Sequence, residues 1–144
     1  MKTVRQLLEH KGNTILSIPS NATVYAALVL MAEKHVGALL VMDDGKLVGI
    51  FSERDFAREV DLKGRTAHDT PIADVMTPHS CLITVTPNDT VENCMNLVTD
   101  KRIRHLPVLE AGHVVGVLSI GDLVKETIAH QRFLIDQLES YIKS

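Results

Sequence analysis

Residues 36–55 read Val36-Gly37-Ala38-Leu39-Leu40-Val41-Met42-Asp43-Asp44-Gly45-Lys46-Leu47-Val48-Gly49-Ile50-Phe51-Ser52-Glu53-Arg54-Asp55. Residues 103–122 read Ile103-Arg104-His105-Leu106-Pro107-Val108-Leu109-Glu110-Ala111-Gly112-His113-Val114-Val115-Gly116-Val117-Leu118-Ser119-Ile120-Gly121-Asp122. The second stretch follows the first at an offset of 67 positions, and the alignment extends without a gap over 18–57 and 85–124. Twelve of those 40 positions are identical, including Thr23/Thr90, Gly45/Gly112, Gly49/Gly116, Ser52/Ser119 and Asp55/Asp122. Several other pairs exchange one aliphatic for another, such as Leu28/Met95 and Ile50/Val117. Self-similarity at a fixed period marks two copies of one structural unit.

Each copy carries the same pattern. Val24, Ala27, Leu28 and Met31 fall at helical spacing, as do Val91, Cys94, Met95 and Val98, so both stretches predict amphipathic helices. Cys94 in such a stripe reads as a small core residue rather than a nucleophile. Ala38–Met42 and Leu47–Phe51 flank Asp43-Asp44-Gly45, and Leu106–Leu109 and Val114–Leu118 flank Glu110-Ala111-Gly112. A glycine-containing turn between short β-rich runs predicts a hairpin. Strands as apolar as Leu39-Leu40-Val41 are expected to be covered on both faces. A second helix should begin near Ser52 and near Ser119, and a short opening strand is expected near Ile15–Ile18 and Leu82–Val85.

The expected fold is therefore α/β, a tandem duplication of a strand–helix–strand–strand–helix unit with pseudo-twofold symmetry. Neither copy can bury its sheet and helices alone, so the two should pack on each other. The linear division is 1–64 for the first repeat with its lead-in (Val4–Leu8), and 65–144 for the second with its own (Ile72–Met76). Residues 58–71 read as a polar connector. From Gly121 onward the chain predicts one extended helix. Its stripe of Val124, Ile128, Ile135, Leu138 and Ile142, interrupted by Gln131, either meets a partner chain or folds back in cis.

Composition narrows the function. The 144 residues are 45% hydrophobic, 23% charged and only 3% aromatic, with no Trp, which requires an aliphatic core. A net charge of −3 gives no basic face for nucleic acid. No apolar run approaches a membrane span, and the N-terminus has no secretory pattern. Cys81 and Cys94 lack metal-motif spacing, and a reduced cytoplasmic protein is expected. His79-Ser80-Cys81 is a poor zinc site, and Ser52 and Ser119 lack a Gly-x-Ser-x-Gly turn, so neither a metal site nor catalysis is expected.

Ser52 with Asp55, and Ser119 with Asp122, sit at N-cap and N3 spacing. One reading is a capping box that satisfies free backbone N–H groups. The other uses the same geometry, in which the free N–H groups and serine hydroxyl hold a phosphate while the carboxylate accepts from a ribose diol. The two are compatible, since a capped helix can still bind.

Gly49-Ile50-Phe51-Ser52-Glu53-Arg54-Asp55 and Gly116-Val117-Leu118-Ser119-Ile120-Gly121-Asp122 resemble the Gly-aliphatic-x-Ser/Thr-x-x-Asp motif of the CBS (cystathionine β-synthase) domain. Arg104-His105-Leu106-Pro107-Val108 is similar to a strand of that family, and Asp74-Val75-Met76-Thr77-Pro78 to its entry segment. The resemblance covers nearly the whole chain. It implies a CBS pair, or Bateman module, whose clefts between the repeats hold adenosine-containing ligands: AMP, ADP, ATP, S-adenosylmethionine or NAD. Asp55 and Asp122 would hold ribose. Ser52, Arg54, Ser119, Arg104 and His105 would hold phosphate, with Arg54 equally readable as a solvated helix residue. Adenine would lie among Leu16, Gly37, Ala38, Leu39, Ile83, Leu106 and Pro107, meeting backbone groups near Leu16 or Ile83.

The copies also differ. The first has Gly37-Ala38 and Leu40 where the second has Arg104-His105 and Pro107, and Arg54 where the second has Gly121. Their clefts should differ accordingly. The implied protein is a non-catalytic energy or redox sensor and a homodimer with a downstream protein partner. It has no catalytic cofactor and no catalytic, channel or DNA-binding domain of its own. The alternative is a structural or interaction dimer with empty clefts.

Overall fold

A computed structural model describes residues 2–12 and 14–143; Met1, Asn13 and Ser144, which fall within the expected divisions 1–64 and 65–144, lie outside the described residues. The chain forms two compact units. One is Ile15–Ile83, and the other joins Met1–Thr14 to Thr84–Ser144. The repeats run in linear order, but each lead-in belongs to the unit of the opposite repeat.

In the unit Ile15–Ile83, β1 (Ser17–Ile18) pairs parallel with β2 (Ala38–Asp43), which forms a hairpin with β3 (Lys46–Ser52). The hairpin turns through Asp44 at φ 50° and Gly45 at φ 76°, the paired positive dihedrals of a tight two-residue turn. Helix α2 (Val24–Lys34) is capped by Thr23, whose hydroxyl accepts from Ala26 N at 3.1 Å. Its Val24, Ala27 and Met31 pack with Leu39, Val41 and Phe51 of the hairpin and with Ile72 and Val75 of the second lead-in.

Helix α3 (Glu53–Asp55) continues into a wider π-helical turn over Phe56–Asp61, with Leu62 N donating to Ala57 O. Helix thus reaches into the expected polar connector, because Val60 is fully buried in the core. After a short 3-10 turn (Ile72–Asp74), β4 (Thr77–Pro78) pairs antiparallel with β3, setting Thr77 opposite Ile50 and Pro78 opposite Gly49. A Cβ at Gly49 would lie 2.6 Å from Thr77 O, so only glycine lets this strand come so close.

In the other unit, α1 (Val4–Lys11) begins with a capping box between Thr3 and Gln6. Val4 N donates to Asp89 O at 2.8 Å and Val91 N to Lys2 O at 3.0 Å, tying the first lead-in to the start of α4 (Val91–Lys101). Strands β5 (His105–Glu110) and β6 (His113–Ser119) form the second hairpin, turning through Ala111 at φ 52° and Gly112 at φ 79°. The expected opening strand is reduced to one parallel bridge, Val85 to Val108. Leu8 covers Gly116, where a Cβ would lie 2.7 Å from Leu8 Cδ2. Helix α5 runs over Ile120–Lys143, with Leu123 and Glu126 buried. The outer part of its stripe does not fold back in cis, since Ile135, Leu138 and Ile142 are 53–79% exposed.

Candidate functional site

The Ser–Asp pairs sit where a hairpin strand runs into a helix. Ser52 ends β3 in extended backbone and α3 starts at the next residue, so the first helical N–H groups have no carbonyl partner within the helix itself. Asp55 N donates to Ser52 Oγ at 3.2 Å, and Asp55 Oδ2 accepts from Ser52 N at 2.9 Å and from Ser52 Oγ at 3.0 Å. The other carboxylate oxygen, Oδ1, accepts from Thr77 Oγ1 at 3.2 Å. Thr77 comes from the second lead-in, through the pairing of β4 with β3. Ala38 lies opposite Ser52 in the hairpin, and Gly37 O accepts from Glu53 N at 3.1 Å. Ser52, Asp55, Thr77, Gly37 and Ala38 thus share one end of the sheet, with exposed Arg54 on the adjoining helix.

The second unit repeats this local structure. Asp122 N donates to Ser119 Oγ at 3.1 Å, and Asp122 Oδ2 accepts from Ser119 N at 2.8 Å and from Ser119 Oγ at 2.9 Å. His105 lies opposite Ser119, and Arg104 O accepts from Ile120 N at 2.9 Å, matching the Gly37 contact. Arg104 is exposed and His105 half-buried. Here the lead-in brings a cation instead of a hydroxyl. Lys11 Nζ donates to Asp122 Oδ2 at 2.5 Å and to Val117 O at 2.7 Å. Burial pushes the Asp122 carboxyl up. Lys11 and the two bonds from Ser119 outweigh that and hold it below its ordinary 3.8.

The expected adenine contacts are spread differently. Leu39 and Leu106 are buried, Leu39 within the core cluster, so their side chains face protein. Pro107 is buried, and its carbonyl accepts from Val85 N at 3.0 Å. Leu16 O accepts from Leu40 N at 3.2 Å within the sheet, while Ile83 is half-buried in a loop. A groove of about 350 Å³ is lined by Leu28, Met31, Ala32, His35, Val36, Gly37 and Glu53. It takes in Gly37 but neither Ser52 nor Asp55.

Sequence reasoning missed Thr77 and Lys11 as site residues. Thr77 stood in the segment that resembles the family's entry, but nothing local showed which carboxylate it would meet. Among the described residues, no group of three or more His, Cys, Asp and Glu side chains is placed to hold a metal, and no helix is long and apolar enough to cross a membrane.

The CBS domain family model matches residues 5–62 and 72–128. The chain is 37% identical over 148 residues to the mitochondrial CBS domain-containing protein CBSX3 of Arabidopsis thaliana, spanning 98% of this chain and 72% of that one. A crystal structure of the CBS domain NE2398 superposes with a TM-score of 0.84 at 49% identity, covering 88% of this chain and 98% of that one. A CBS-domain protein of Burkholderia ambifaria MC40-6, assigned provisionally to signal transduction, gives 0.85 at 45% identity over 90% and 96%. The CBS pair of MJ0100, solved with 5′-methylthioadenosine and S-adenosylmethionine, shares the fold at 21% identity with a TM-score of 0.78 over 90% and 98%.

Proposed function

Because the chain belongs to the CBS-domain family through both of its repeats, we propose that it is a regulatory module that binds an adenosine-containing nucleotide and catalyses no reaction of its own. The candidate ligands are AMP, ADP, ATP, NAD and S-adenosylmethionine, and the role is that of an energy or redox sensor. The observation that carries this reading is the Ser52–Asp55–Thr77 cluster. A carboxylate and two hydroxyls converge at one sheet end, where a helix begins. The bond from Thr77 to Asp55 Oδ1, at 3.2 Å, is the longest that Asp55 accepts. It is the one a ribose hydroxyl would replace at least cost, leaving Ser52 and Arg54 to meet phosphate.

The Asp122 end is read as the unequal partner. Its carboxylate is already neutralised by Lys11, so a ribose diol competes there with an ammonium. Arg104, His105 and Lys11 favour a ligand with more phosphate charge at that end. Gly37, Ala38, Leu39, Leu16, Ile83, Leu106 and Pro107 remain the proposed adenine side, acting largely through backbone groups. A cytoplasmic homodimer acting on a separate protein partner completes the reading, with neither nucleic acid nor membrane as target.

A second reading is favoured by the capping boxes. Both reciprocal bonds are present at Ser52/Asp55 and at Ser119/Asp122, and they account for those residues without any ligand. The chain would then be a structural or interaction dimer with empty clefts. Thermal unfolding with AMP, ADP, ATP, NAD, NADH and S-adenosylmethionine separates the two. A nucleotide at about 100 times its Kd adds roughly 2.7 kcal/mol, and Asp55→Ala should remove more of that increment than Asp122→Ala. If no nucleotide shifts the wild type, the structural reading wins. An increment that survives both substitutions overturns the ribose assignment.

A further inference from the structure

The outer half of α5 carries a two-sided pattern. Ile128, Gln131, Ile135, Leu138 and Ile142 recur at alternating steps of three and four, the seam of a coiled coil with Ile128, Ile135 and Ile142 at one core position and Gln131 and Leu138 at the other. Exposure rises along this half, from 47% at Leu134 and 53% at Ile135 to 62% at Leu138 and 79% at Ile142. An unsupported helix with that much apolar surface is marginal in water. One flank of the seam carries Arg132 and Glu139, of opposite sign and seven residues apart; the other carries Leu134 and Tyr141.

We propose that this half of α5 pairs antiparallel with the same helix of a second copy of the chain. With the twofold axis between residues 136 and 137, Ile135 meets Leu138 of the partner subunit, and Gln131 meets Ile142 of the partner subunit. On one flank Arg132 then faces Glu139 of the partner subunit, twice by symmetry. On the other, Leu134 faces Tyr141 of the partner subunit. Every charge on the flanks is matched, and the apolar flank meets itself. The parallel arrangement fails on the same residues. It sets Leu134 against Glu139 of the partner subunit and each Gln131 against its own copy, with no charge pair formed. The mixed-sign flank is therefore what selects a second copy and its direction. Phe133 falls on the outer face and takes no part.

This inference does not depend on the nucleotide reading, and the test is run without nucleotide. Sedimentation equilibrium of the full chain should show self-association, and Ile135→Asp should lower its stoichiometry. Glu139→Arg should weaken association by about tenfold, through two lost ion pairs and two new repulsions, and Arg132→Glu added to it should restore association to within about threefold. A stoichiometry unchanged by Ile135→Asp overturns this surface, while leaving room for a homodimer through other faces. Weakening by Glu139→Arg that the second substitution fails to restore overturns the antiparallel register. Dilute, dissociated chain should unfold at the same urea midpoint with or without Ile135→Asp; a large drop would place the helix in cis contact and overturn the pairing.

Discussion

Lys11 Nζ lies 2.5 Å from Asp122 Oδ2 and 2.7 Å from Val117 O, so the end of α1 is fastened to the junction of β6 and α5. The pair is mostly covered, with side chains 32% and 23% exposed. A partly buried carboxylate without its ammonium would be driven upward by desolvation, so removing the lysine leaves a costly group behind. Lys11→Met should destabilise the chain by about 1 kcal/mol at neutral pH. The Asp122 carboxyl is held below 3.8 in the folded chain, so its stabilisation is complete above that value and fades as pH falls through the lower, folded one. The gap between wild type and Lys11→Met should therefore close in unfolding curves taken at falling pH below about 4. A gap that is the same at every pH would mean that Lys11 acts through packing alone.

Ser52 and Asp55 form a single reciprocal device, with the serine hydroxyl serving the Asp55 N–H and the Asp55 carboxylate serving the Ser52 N–H. Ser52→Ala and Asp55→Ala should each cost about 1 kcal/mol in urea unfolding. The double substitution should cost clearly less than their sum, because the first change already breaks the box. Strict additivity would mean the two groups work separately.

The duplication made much of this fold legible. Thr23 and Thr90 cap helices at the offset the alignment gives, and Asp44-Gly45 and Ala111-Gly112 take the same pair of positive dihedrals. Those features depend on a few adjacent residues, so sequence carries them. The exchange of lead-ins was not legible, because Leu8 has no local property that picks Gly116 over Gly49. Nor was the contact of Lys11 with Asp122, which spans 111 residues of chain. The capping geometry of the site was readable from Ser and Asp spacing; the groups that complete it, Thr77 and Lys11, arrive from distant sequence through that exchange. The opening strand expected at Leu82–Val85 is shorter in the structure: among the described residues of that stretch, Val85 alone bridges to β5.

Gly49 and Gly116 occupy equivalent positions yet face different neighbours, which separates the effects of the same substitution. A methyl at Gly49 would meet the Thr77 backbone oxygen at 2.6 Å, and β4 cannot retreat without breaking its pairing with β3. A methyl at Gly116 would meet the end of the Leu8 side chain at 2.7 Å, which can rotate. Gly49→Ala should cost about 3 kcal/mol and Gly116→Ala nearer 1 kcal/mol, as overpacking scales with how rigid the neighbour is. Leu8→Ala should also relieve part of the Gly116→Ala penalty, so that the pair is less than additive in urea unfolding. The reverse order of costs would contradict the contacts described.

The two cysteines should be told apart by chemistry. Cys94 is fully buried on α4, and burial, with a smaller contribution from the Asp89 charge, pushes its thiol up to about 11. Cys81 is exposed. The thiolate is the reactive form, so at pH 8 a water-soluble disulfide reagent should label one thiol per native chain quickly. The second should react only as the chain unfolds, and its rate should then report opening of the unit that holds α4. Cys81→Ser should abolish the fast phase, while Cys94→Ala should leave it intact and destabilise the fold. Two fast thiols in the native chain would be incompatible with Cys94 lying in the packed face of α4.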